Sequence, residues 1–245
     1  MRFLLLLASL FTLVACSEAD EPFKPVVFEG DIILVSLSDL QNFADEGYTT
    51  INGTLNIVIS DEFEDLSPLK SLREVRRIII LENENLQTLI GLENIRELEF
   101  LQIGFNPKLK NLGGLQNLVS VSKDIEIKYN DNLTSLTGLK GLNTVGEKMS
   151  VVFNESLSNL NGLENLKEAK KLVVSYNPNL KNISGLEGFN KSIAVLLYSN
   201  PLLNDFCPLT NFVKNRRNGD VFYTQGNLYN PTSEDLENNN CAMLP

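Results

Sequence analysis

The stretch ENLQTLIGLENIRELEFLQIGFN, Glu84 to Asn106, returns four more times along the chain in altered form. The copies are KLKNLGGLQNLVSVSKDIEIKYN, DNLTSLTGLKGLNTVGEKMSVVFN, ESLSNLNGLENLKEAKKLVVSYN and PNLKNISGLEGFNKSIAVLLYSN. One column of asparagines runs Asn83, Asn106, Asn130, Asn154, Asn177, Asn200 in steps of 23 or 24 residues. A leucine column, Leu69, Leu92, Leu115, Leu139, Leu163, Leu186, Leu209, keeps the same spacing. A unit this short cannot bury its own apolar face, so units repeated at a fixed period must stack on one another. The expectation is an α/β, mostly β chain: a solenoid of 23–24-residue coils with one parallel sheet and short capping helices at both ends.

Within a repeat, an apolar-x-apolar-x-x-Asn segment predicts a strand, because side chains alternate across a strand and the first and third positions share a face. Those pairs are Leu55/Ile57, Ile78/Ile80, Leu101/Ile103, Ile125/Ile127, Met149/Val151, Leu172/Val174 and Val195/Leu197. Asparagine at the bend suits a tight turn, since its amide can satisfy backbone groups left unpaired in the interior. Ser60 holds that place in the first strand. Gly-Leu pairs such as Gly91-Leu92 and Gly162-Leu163 follow, glycine permitting positive φ and close approach. The longer repeats gain their extra residue just before the strand, around Ser122–Asp124 and Gly146–Lys148.

These motifs resemble leucine-rich repeats, and more closely the receptor L domain, a short-coil right-handed solenoid. The LxIxxNxxL core and the GLxxL follow-on carry the resemblance over residues 30–215. It implies binding of a protein or glycan across the open sheet. The cysteine-rich modules that flank receptor L domains are missing, so the resemblance does not extend to receptor signalling.

At the N-terminus, Met1-Arg2 and the apolar run Phe3–Val14 fit a secretory signal peptide over residues 1–15; the run is too short for a helix across a bilayer. Leu13-Val14-Ala15-Cys16 resembles the lipobox of bacterial lipoproteins, which implies an acylated (palmitate-bearing) Cys16 as the first mature residue. Ser17 lacks the acidic side chain associated with inner-membrane retention, and Glu18, Asp20 and Glu21 resemble the export signals of some surface lipoproteins. Localisation is therefore expected at the bacterial outer membrane, lipid-anchored and surface-exposed, with residues 16–29 as a flexible tether. With Cys16 lipidated, Cys207 and Cys241 form an even pair in an oxidising compartment, and a disulfide is expected.

Near the ends, Asp31–Leu37 reads as a short strand. Ser38-Asp39-Leu40-Gln41 reads as a capping box opening a helix that Gly47 ends, with Leu40, Phe43 and Ala44 on its apolar face. After Cys207, PLTNFVKNRRNGD reads as a capping helix with Lys214, Arg216 and Arg217 near its end, and residues 216–245 as a polar cap or tail.

Composition narrows the function classes. A formal charge of −10 gives no positive field for a nucleic-acid partner, and the absence of histidine removes the commonest general base and a favoured metal ligand. Asp61/Glu62 and Glu82/Glu84 are paired carboxylates at loop or surface places with no cleft implied, so neither catalysis nor a metal or other cofactor is expected. The residue before each bend asparagine reads Ile59, Glu82, Phe105, Tyr129, Phe153, Tyr176, Ser199. Phe105, Tyr129, Phe153 and Tyr176, extended by Tyr198, are the candidate ligand-binding row; such rings can anchor a protein or stack on sugars, or pack on one another as a structural ladder. Gln102, Glu126, Lys128, Ser150 and Ser175 are expected as a polar outer surface beside them. The expected role is an envelope binding or adhesion module, the alternative an accessory envelope lipoprotein without an external ligand.

Overall fold

The computed structural model describes residues 24–243. The leader, Cys16 and most of the expected tether lie outside the described residues. Among those described, the chain is mostly β, with a single parallel sheet of twelve strands and few helices. The strands are β1 (Val27–Glu29), β2 (Ile32–Leu34), β3 (Thr50–Ser60), β4 (Glu74–Asn83), β5 (Glu97–Leu98) and β6 (Phe100–Gly104). They continue as β7 (Ser120–Val121), β8 (Ile125–Lys128), β9 (Thr144–Val152), β10 (Glu168–Ser175), β11 (Ala194–Tyr198) and β12 (Val221–Gln225). Three helices are α1 (Leu37–Asp45), α2 (Thr210–Asn215) and α3 (Ser233–Glu237).

The sheet order is β1-β3-β4-β6-β8-β9-β10-β11-β12, with β2 also on β3 and β7 joining β5 to β9. Each strand pairs with the same segment of the next repeat: Ile78↔Leu101, Leu101↔Ile125, Ile125↔Met149, Met149↔Leu172 and Leu172↔Val195 are direct neighbours. Nearly equal repeat length therefore brings like residues side by side, and the first and third strand positions from Leu55/Ile57 to Val195/Leu197 are all fully buried. The leucine column from Leu69 to Leu209 is equally buried behind them. At about 25 cal/mol per Å² of apolar surface, this continuous burial is the main force holding repeat to repeat.

Strands β3, β4, β9 and β10 cross a bend that elsewhere splits the segment in two, as between β5 and β6 or β7 and β8. Pairing slips there by one residue, between Ala169 and Lys171 against Val145 and Lys148. A bulge absorbs an added residue without disturbing the ladder on either side, so 24-residue repeats fit beside 23-residue ones.

On the far side of each repeat the chain turns at the Gly-Leu pair. Gly91 has φ of +115°, the Leu92 N–H donates to the Leu89 carbonyl at 3.2 Å, and a Cβ would lie 1.8 Å from the Leu66 carbonyl oxygen. The close approach of neighbouring repeats thus demands glycine. The turn is a short 3₁₀ segment at Ser67–Ser71 and Cys207–Leu209, where Pro68 and Pro208 take the glycine's place, and also at Thr137–Leu139, where Gly138 keeps it.

The ends depart from the sequence reading. Helix α1 begins two residues early: Ser36 is the N-cap, its hydroxyl accepts from the Asp39 N–H at 3.1 Å, and the Asp39 carboxylate accepts from the Ser36 N–H at 3.1 Å. The box is Ser36/Asp39, not Ser38/Gln41, because aspartate closes it as well as glutamine; Gln41 bonds Asp45 instead. Strand β2 accordingly stops at Leu34, short of Leu37. Leu40 and Phe43 are buried as expected, and Val27–Glu29, placed in the tether, instead pairs with Thr50–Asn52. At the other end α2 stops at Asn215, before Arg216 and Arg217, and the polar tail contains β12, which adds to the sheet beside β11. Cys207 and Cys241 are joined by a disulfide, and the Phe206 N–H donates to the Cys241 carbonyl at 2.8 Å, tying the tail to the last turn.

Candidate functional site: an aromatic row on an amide ladder

The bend asparagines form one continuous hydrogen-bonded column. Asn106 is representative. Its Nδ2 donates to the Gly104 carbonyl two residues back at 2.9 Å, to the Ile80 carbonyl of the preceding repeat at 3.2 Å, and to Asn130 Oδ1 at 3.1 Å. Its own Oδ1 accepts from the N–H and Nδ2 of Asn83 at 3.2 and 3.0 Å. The same set recurs at Asn130, Asn154, Asn177 and Asn200, all fully buried. A seventh rung, Asn227, follows Asn200, and Asn230 Oδ1 closes the column by accepting from Asn227. Asn227 escapes a search by period because its step from Asn200 is 27 residues. At the opposite end Ser60 supplies no amide, and Asn83 Oδ1 has no partner among the described residues.

This column explains an unusual backbone. The residue before each bend position, from Ile59 to Ser199, has φ between 54° and 58°, the left-handed region that non-glycine residues ordinarily avoid at roughly 1–2 kcal/mol each. At the six positions from Glu82 to Ser199 the asparagine amide, bonded to the carbonyl just ahead of that residue, bridges the turn and holds it, whereas Ile59 takes the same φ beside Ser60 without one. None of the seven positions is Gly or Asn, so residue type alone hides the conformation.

Left-handed geometry at successive turns aims these side chains the same way. Phe105, Tyr129, Phe153 and Tyr176 stack face to face with centroids 4.6, 4.7 and 4.5 Å apart and planes within 15°. Tyr198 meets Tyr176 edge-on at 5.5 Å, and Tyr223, absent from the sequence reading, meets Tyr198 at 6.4 Å. Each of the four stacked residues remains 37–44% exposed. Within the row the faces are covered by neighbouring rings, so a ligand meets edges and the two tyrosine hydroxyls. Glycan stacking on those inner faces is closed off; apolar edge contact and hydrogen bonding stay open.

Beside the row the surface is polar, with one correction. Ser175 is buried between Val152 and Tyr198, and its hydroxyl has no partner among the described residues. Gln102 donates to Glu126 at 3.1 Å, and Glu126 pairs with Lys148 at 2.7 Å and Lys128 at 3.4 Å. Partial burial pushes the Glu126 carboxyl up, but the Lys148 hydrogen bond and the two lysine charges outweigh it and leave its pKa below the ordinary range. Glu62 is a helix partner, accepting from the Leu37 N–H at 2.6 Å at the start of α1, and Glu82 is one of the left-handed residues. No group of three or more His, Cys, Asp or Glu side chains able to hold a metal occurs among the described residues. No protein-family model matches the chain, and no curated protein matches it.

Proposed function

We propose that this chain is a cell-envelope binding module, anchored by lipid at Cys16 after loss of residues 1–15 and facing outward from a bacterial outer membrane. On this reading the parallel sheet is the face of a right-handed, leucine-rich-repeat-like solenoid of the receptor L domain kind. The partner engaged by the aromatic row is a protein rather than a sugar face. The observation that carries the proposal is the row itself: four rings held rigidly by their own stacking and by a buried amide column, yet left well exposed at their edges. Aromatic anchors that lose little entropy on binding are what protein hot spots require. No helix among the described residues is long and apolar enough to cross a membrane.

The test is to probe protein and glycan arrays with the chain and with a variant carrying Phe105→Ser, Tyr129→Ser, Phe153→Ser and Tyr176→Ser. Loss of a protein signal with unchanged circular dichroism is the expected result. Binding that survives the variant removes the row from the site, and a variant that unfolds makes the row structural. The mutual stacking also favours a second reading, an accessory envelope protein whose rings only brace the sheet. On that reading protease applied to intact cells leaves the chain uncut.

A further inference from the structure

We propose that a groove at the opposite end of the strands is a second binding site, for an acidic oligosaccharide. It measures ≈ 500 Å³ and is lined by Arg73, Arg76 and Arg96, with Glu74 and Glu97 between them. Four of the seven arginines in this acidic chain, Arg73, Arg76, Arg77 and Arg96, fall within 24 residues, and three of them meet in this groove. Arg73 and Arg96 hold the same place in successive repeats, as Thr50, Glu74 and Glu97 do, so like groups recur about 4.8 Å apart across the sheet.

The bonding state of each group points to the ligand class. Arg76 is held by Glu99 at 2.8 Å, whereas the Arg96 guanidinium has no ion pair or hydrogen bond among the described residues. An exposed guanidinium presents paired N–H groups to a carboxylate or sulfate, a geometry that an ammonium cannot reproduce. Glu74 and Glu97 stand beside it as acceptors. Asn94 Nδ2 is spent on the Lys70 carbonyl and Asn52 Nδ2 on Glu29, which leaves both amide oxygens to accept as well. The two glutamates repel any anionic ligand alike, so the ligand classes differ in the side-chain donors they bring: a glutamate side chain brings none to these acceptors. A sugar chain brings hydroxyl donors to them and one anionic group per unit to the arginines. The groove lies roughly 20 Å along the strands from the aromatic row, taking six residues from Arg76 to Glu82, so this proposal stands or falls independently of the row.

Calorimetric titration of the full chain with tetragalacturonate, a sulfated maltotetraose, neutral maltotetraose and tetraglutamate tests it at low salt. Binding of at least one anionic sugar is expected, the two arms separating carboxylate from sulfate recognition, with no heat from the neutral sugar or the peptide. Arg96→Gln should weaken binding about tenfold, Arg96→Lys less, and Lys181→Gln, on a remote turn, not at all. No binding by either anionic sugar, equal binding of tetraglutamate or maltotetraose, or an unchanged affinity in Arg96→Gln would overturn the assignment.

Discussion

At the scale of single residues, the left-handed positions and the amide column act as a pair, and their first member shows what the pairing is worth. Ile59 takes φ of 55° although its branched side chain is exposed and suits that region least. Asparagine tolerates the conformation, so Ile59→Asn is expected to raise stability by about 1 kcal/mol, measured by urea unfolding with unchanged m-value. Next to it, Ser60 leaves Asn83 Oδ1 without a partner among the described residues. Ser60→Asn would place an Nδ2 opposite that oxygen and within reach of the Leu34 carbonyl, as later rungs are placed. A gain of about 1 kcal/mol is expected, less the bond that Ser60 Oγ now accepts from the Glu62 N–H. A loss of stability in Ser60→Asn would show that the column cannot be extended at its open end.

At the scale of elements, the helix over the first turn depends on which serine caps it. Ser36→Ala removes the hydroxyl that accepts from Asp39 and should cost about 1 kcal/mol, whereas Ser38→Ala, inside the helix, should cost less than half of that. Equal losses would contradict the cap. The strands gain their regularity from pairing like with like, and the outer surface repeats the device with charge. Arg76, Glu99 and Lys123 form one chain of ion pairs across three repeats, and Lys170–Glu147 and Lys191–Glu168 repeat the pattern. These pairs are exposed and screened by solvent, so they align repeats more than they bind them.

For the whole molecule, pH is the informative variable. Ser36 holds the Asp39 carboxyl below its ordinary pKa, Arg76 does so for Glu99, Thr54 for Asp31 and Thr232 for Asp235. Groups lowered on folding stabilise the fold fully above the ordinary carboxylate range, and that contribution is lost as pH falls through the lowered values. With no histidine in the chain, the side chain that ordinarily titrates near neutrality is missing. The melting temperature should therefore stay level from pH 8 to about 5 and fall below about pH 4, as followed by calorimetry. A marked change between pH 6 and 7 would contradict this assignment of the titrating groups.

The period of the chain determined, without any structure, which residues become neighbours. Once repeats of 23 or 24 residues lie side by side, the buried pairs from Leu55/Ile57 to Val195/Leu197, the asparagine column and the aligned aromatics follow from counting. Features that break the count were not legible in this way: the shifted cap at Ser36, the strand Val221–Gln225, and Asn227 at a step of 27. Only the tertiary structure decided that the rings cover one another's faces, because ring orientation depends on a left-handed backbone that none of those residue types announces. It alone also set Arg76 beside Arg73 and Arg96 around one groove: the period aligns the latter two, but nothing in the linear sequence marks the groove or the place of Arg76 in it.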